Sequence, residues 1–182
     1  SQEPTPLKKR PSLVDISGLK DMKGESIPIE STKAFHLSQS RQASLLFVTC
    51  AAYEKAFPGR TVNTVCSYKD GFYCQDYESQ KLEEDDFNKL RTCLRDLITG
   101  PDELKLFKMP RKDFQEYLQK KGYEDKLQIL KLHRNDPIDV AQIGDFLDYI
   151  LEPLMTEKSL LLPFEINPVG KGFVVRYPLF SN

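Results

Sequence analysis

Six side chains of this sequence could act as nucleophiles, proton carriers or soft metal ligands: Cys50, Cys66, Cys74 and Cys93, with His36 and His133. Structural zinc sites draw closely spaced ligands, and no CxxC pair occurs, so no metal site is expected. Cys66 and Cys74 flank a hairpin-like stretch and could approach each other, but buried free thiols in a reducing compartment fit this spacing better than a disulfide. A Ser/His/Asp or Cys/His arrangement would have to recruit His36, in a poorly patterned stretch, or His133, inside a basic run. Asp145 and Asp148 lie three residues apart and could pair as acid and base; a solvated sheet edge or a local bond to backbone explains them more simply. There is no P-loop, GxGxxG, HExxH or GxSxG run. These residues predict no catalytic group, no cofactor and no small-molecule substrate.

The remaining chemistry-bearing feature is charge. The 182 residues carry 26 basic and 27 acidic side chains, a net charge of −1, which hides a segregation along the chain. Residues 105–134 hold nine basic residues against four acidic ones, a net +5. Residues 135–165 hold seven acidic residues against Lys158 alone, a net −6. Candidate phosphate contacts are Lys8, Lys9, Arg10, Arg111, Lys112, Lys120, Lys121, Lys131, Arg134, Lys171 and Arg176. Tyr73, Tyr77, Tyr117 and Tyr123 are scattered rather than set on one strand, so they form no base-stacking platform. No run of eighteen apolar residues is present, so no membrane-spanning helix and no membrane partner are expected; the opening Ser1–Pro6 lacks an apolar signal core.

The elements that must position these groups follow from periodicity. Residues 1–39, with Pro4, Pro6 and Pro11 around Lys8–Arg10, read as an extended N-terminal arm, and 40–182 as one domain. Gln42–Tyr53 is apolar nearly all round, as a buried helix is, and stops at Phe57-Pro58-Gly59. Thr61–Cys66 and Phe72–Cys74 read as strands about an Asp70-Gly71 turn. Glu83–Asp86 places carboxylates at the positive end of an amphipathic helix carrying Phe87, Leu90, Leu94, Leu97 and Ile98. A strand over 104–109 and a helix over 111–121, ended by Gly122, come next. Then come short β-like runs at 127–132, 138–143, 146–150, 160–166 and 173–177. The sum is an α+β fold: a mainly antiparallel sheet packed by a long buried helix and shorter amphipathic helices.

Three segments in this order resemble one known domain. They are the helix ending Tyr53-Glu54-Lys55-Ala56-Phe57-Pro58-Gly59 with the following Asp70-Gly71-Phe72-Tyr73; Ile138–Asp148, containing Ile143-Gly144-Asp145-Phe146-Leu147-Asp148; and Glu152-Pro153-Leu154 through Phe173–Tyr177. Over residues 40–177 the chain resembles the editing-type second domain of threonyl-tRNA synthetase, a fold shared with alanyl-tRNA synthetase and some nucleoside kinases. In that family two histidines four apart on the first helix, and a later Asp-x-Cys-x-Gly-Pro-His segment, supply the hydrolytic groups. Counted from Phe57-Pro58 and from Asp148, those positions hold Ala43, Phe47, Ile150 and Leu154 here. Apolar side chains neither hold water nor move protons, and two histidines cannot fill a site that needs three. The resemblance therefore implies a degenerate, hydrophobic editing pocket.

The segment Leu130-Lys131-Leu132-His133-Arg134, with the two later segments, is most similar to the non-catalytic branch of that family in the mitochondrial large ribosomal subunit. Those relatives carry a β-grasp domain ahead of this one, for which 39 residues are too few. The expectation is a non-enzymatic, mitochondrial protein docking on ribosomal proteins and rRNA. Its rivals are a tRNA-editing deacylase and a domain appended to a synthetase or nucleoside kinase.

Overall fold

The computed structural model describes residues 29–68, 71–151 and 153–178, with side chains from residue 37 onward. The chain order is α1 (Ile29–Ala56), β1 (Val62–Tyr68), β2 (Gly71–Asp76), α2 (Glu84–Thr99), β3 (Lys105–Met109), α3 (Arg111–Lys121), α4 (Glu124–Leu132), β4 (Ile138–Ile143), β5 (Phe146–Tyr149), a 3-10 turn at Lys158–Leu161, β6 (Glu165–Val169) and β7 (Gly172–Arg176). This is an α+β fold whose strand pairings are all antiparallel. The strands form two sheets rather than one, in the orders β1-β2-β7-β6 and β3-β4-β5.

The all-round apolar run of α1 explains its place. Residues 42–53 are all buried, and α1 packs on α2 and on β7 of the first sheet. One core cluster joins Leu45, Val48 and Tyr53 of α1 to Leu90 and Leu94 of α2 and to Ala141, Phe146, Phe173 and Val175 of the strands. A second, smaller cluster lies between the second sheet and the α3–α4 pair, around Phe114, Leu118, Tyr123, Leu130, Val140 and Leu147. The helix extends upstream of the expected 42–53, to Ile29; no Gly or Pro interrupts the sequence between Pro28 and Pro58, so nothing breaks it.

α2 begins and ends on side chains. The Asp86 carboxylate accepts the Glu83 backbone N–H at 2.8 Å, which closes the first turn. Its last turn carries no basic residue of its own. Lys158, from the 3-10 turn, instead donates its ammonium to the carbonyls of Leu97 (2.6 Å), Gly100 (3.0 Å) and Asp102. A cation at the negative helix end, satisfying orphan carbonyls, stabilises both partners. Lys158→Met keeps the stem and removes the charge; urea unfolding should show a loss of about 1.5–3 kcal/mol, and an unchanged midpoint would show that the three carbonyls are equally well served by water.

Three expectations need correction. Residues 127–132 are the body of α4, not a strand: Glu124 and Asp125 in the first turn and Lys131 in the last suit the helix dipole, and Lys126 and Leu130 share a buried face at i, i+4 spacing. The run 160–166 is split into the 3-10 turn and β6, because Pro163 cannot donate within a strand ladder. Gly71 is not a turn residue. It pairs with Tyr68 inside the hairpin, and a Cβ there would lie 2.4 Å from the Val175 carbonyl oxygen of β7. Glycine is needed for strand approach; Lys69 and Asp70, between the paired residues, lie outside the described residues.

Candidate functional site

α1 carries the side chains that face β5 and the segment after it. Ala43, Phe47 and Leu154 are buried, and Ile150 packs against the same apolar cluster. The Phe47 ring meets Phe146 of β5 edge-on at 5.1 Å between centroids. One turn ahead, the Ser44 hydroxyl accepts the Met155 backbone N–H at 2.7 Å and donates to the Ser40 carbonyl, pinning the 154–155 segment onto the helix. The four positions that the resemblance assigns to histidine and cysteine thus belong to one apolar cluster, with Ala43, Phe47 and Leu154 buried in it and Ile150 at its partly exposed rim.

The next turn of α1 is different. Cys50 is buried beside a charged cluster, and burial pushes its thiol well above the ordinary value, with Cys74 and the carboxylates of Asp148 and Glu54 adding to the rise and Lys126 opposing it. A thiol held neutral is a poor nucleophile. Asp148 of β5 pairs with the Lys126 ammonium of α4 at 3.5 Å, with side-chain exposures of 8% and 11%. Its other oxygen accepts the Tyr149 N–H at 2.9 Å. The ammonium lies 4.3 Å from the Tyr123 ring centroid and 5.5 Å from that of Phe146, and the Tyr123 hydroxyl donates to the Glu54 carboxylate of α1. Sequence reading missed Lys126 as a site residue; reading α4 as a helix, with position 126 on the face of Leu130, is the signal that would have found it.

Beside this cluster opens a cleft of ≈ 370 Å³, lined by Ala51, Glu54 and Lys55 of α1, Lys121 of α3, Asp102, Asp145 of the β4–β5 turn and Phe146 of β5. It carries charge, but Ala43, Phe47, Ile150 and Leu154 are not in its walls, and neither is any cysteine or histidine. Asp145 and Asp148 do not pair as acid and base. Asp145 is exposed at the turn and Asp148 is committed to Lys126. Tyr117 of α3 spans the turn, accepting the Leu147 N–H at 3.0 Å and donating to the Asp145 carbonyl at 3.4 Å; its burial pushes its pKa up to about 12.

His133 is exposed past the end of α4, and the side chain of His36 lies outside the described residues. The cysteines are free; Cys74 is buried and Cys66, across the hairpin, is exposed. A register shift between Thr64 and Cys66 sets Cys74 opposite Thr64 instead. No group of three or more His, Cys, Asp or Glu side chains capable of holding a metal occurs among the described residues.

The basic candidates fall on several elements. Lys8, Lys9 and Arg10 lie outside the described residues. Arg111 spends its guanidinium on the carbonyls of Leu130 and His133, tying the start of α3 to the end of α4. Arg176 pairs with Glu165 at 2.7 Å. Lys112, Lys120, Lys131 and Arg134 are exposed about α3 and α4, Lys121 borders the cleft, and Lys171 sits at the β6–β7 turn of the other sheet.

No protein-family model matches the chain. It is similar to threonine–tRNA ligase of Clostridium perfringens, 32% identical over 115 residues, which covers 62% of this chain and 18% of that enzyme. The enzyme of Latilactobacillus sakei is 25% identical over 128 residues, 70% of this chain and 19% of its own length. The chain carries a threonyl-tRNA-synthetase-like domain. It spans about a fifth of the length of the curated relatives it matches, so the similarity concerns this domain and not the enzyme as a whole. No described helix is long and apolar enough to cross a membrane.

Proposed function

We propose that this is a synthetase-type editing domain that no longer hydrolyses and serves as a docking module. One observation carries the reading: where the family's hydrolytic histidines and cysteine belong, Ala43, Phe47, Ile150 and Leu154 pack into a single apolar cluster. A pocket filled by side chains has no room for an amino acid and no group to activate water. A non-hydrolysable 3′-seryl-amino-adenosine tests this. Titrated into the protein at millimolar concentration, it should give no saturable heat and no shift in melting temperature. Saturable binding abolished by Phe47→Trp would contradict a filled pocket.

The similarity to synthetases supports a host that is, or descends from, a synthetase, and supports it more directly than a ribosomal one. The mitochondrial large ribosomal subunit, with ribosomal proteins and rRNA as neighbours, is the narrower proposal; it draws on the exposed lysines of α3 and α4 and on the sequence resemblance. Mass spectrometry of intact large subunits decides between the hosts by whether this chain travels with them.

A second reading has its own observation. The Lys126–Asp148 pair beside a charged cleft favours a deacylase working with other groups, and turnover separates the two readings.

A further inference from the structure

The two sheets have four outer edges, and three of them are blunted. β1 carries a register shift between Thr64 and Cys66. β6 contains Pro168, which cannot donate to a ladder. β5 is buried at Phe146, Leu147 and Asp148. Bulges, prolines and cover are the means by which proteins protect edges from stray pairing.

β3 has none of these. It pairs with β4 in unbroken register over five residues, from Lys105 opposite Gln142 to Met109 opposite Ile138. It ends its sheet, with no strand beyond it among the described residues. Lys105, Phe107 and Lys108 are exposed, Phe107 to 37%. Alternation puts Lys105 and Phe107 on one face and Leu106 and Lys108 on the other. On the Leu106 side an apolar cleft of ≈ 300 Å³ lies against the strand, walled by Ile150, Leu151 and Pro153. Leu151 is 62% exposed there.

From this edge we infer that β3 accepts an extended, acidic segment of a partner protein as an added antiparallel strand. Main-chain hydrogen bonds would provide affinity; alternate side chains would provide choice. An apolar residue of the guest meets the Leu106–Leu151 cleft, and carboxylates on either face meet a lysine. Lys105 is exposed, and Lys108 holds only a solvent-exposed pair with Asp139 at 3.2 Å. Opposite charges across a strand pair are favourable and like charges are not. Two copies of β3 edge to edge would gather four lysines on one ribbon, so the same residues that admit an acidic guest oppose self-association.

The inference deepens the docking reading above by naming its partner chemistry, and the two fail separately: turnover would remove the docking role while leaving strand addition standing. The test uses the full chain and fluorescein-labelled decapeptides repeating Val-Glu-Glu or Val-Lys-Lys, which place charged and apolar side chains on both faces. The acidic peptide should bind saturably, more weakly in salt, and slow amide exchange at 105–109 by about tenfold. A central proline in the peptide should abolish this. The exposed double variant Lys105→Glu/Lys108→Glu should lose the acidic peptide by about tenfold or more and gain the basic one. Equal binding of both peptides, no saturable binding of the acidic one, protection at β1 or β6 instead, or an RNA oligomer outcompeting the peptide at the same edge would each overturn it.

Discussion

Asp148→Ala should lower the unfolding free energy by about 3–5 kcal/mol, because it strands a buried ammonium. The Lys126 and Asp148 side chains are 11% and 8% exposed, so water reaches neither freely. With the carboxylate gone, Lys126 keeps only the faces of Tyr123 and Phe146, each contributing about 0.5–2 kcal/mol against a desolvation cost several times larger. Lys126→Met alone should also destabilise, by removing the carboxylate's ion-pair partner. The double change Lys126→Met/Asp148→Leu should recover most of either loss, since apolar groups of like volume replace buried ion pairs at little cost. Urea midpoints at constant slope measure all three. A single-site loss under about 1 kcal/mol would mean that the pair behaves as a surface contact.

Phe47→Ala should cost about 3–5 kcal/mol, the range for truncating a buried aromatic ring. Phe47 is 7% exposed and touches Phe146 edge-on; its removal leaves a cavity between α1 and β5 that the two rigid elements cannot close. Thermal and urea unfolding measure the loss. Phe47→His is the more pointed variant, placing at one position the residue type that the synthetase resemblance implies there. It should destabilise by leaving a polar ring in an apolar core, and it should restore no hydrolysis, because Ala43, Ile150 and Leu154 still lack partners for it. Tolerance of Phe47→Ala within 1 kcal/mol of the parent (about a fivefold change in the folded ratio) would mean that the position is not a plug.

Where sequence signals were local and strong, the fold was readable. α3 runs Arg111–Lys121 and stops at Gly122, whose φ of 72° is the left-handed cap that glycine supplies. β4 spans Ile138–Ile143 as expected, and as the central strand of its sheet it is buried on both faces, Val140 in one cluster and Ala141 in the other. What was hidden depends on partners distant in sequence. α4 looked like a strand because Leu127, Ile129 and Leu132 are spaced by two and three, and its helical state is secured by packing of Leu130 and by Lys126 against Asp148, 22 residues away by the numbering. Charge counting found a basic window, yet could not tell that Arg111 caps α4 or that Arg176 is held by Glu165. Identity at Ala43, Phe47, Ile150 and Leu154 was legible residue by residue; that they share one cluster with α2 and both sheets was not.

Loss of hydrolysis is tested most directly by single-turnover deacylation of threonine-accepting tRNA charged with serine, with the protein in excess. Serine should be released at the rate of the protein-free control, unchanged by His133→Ala or Asp148→Asn. A burst of release above that control, removed by either substitution, would contradict it.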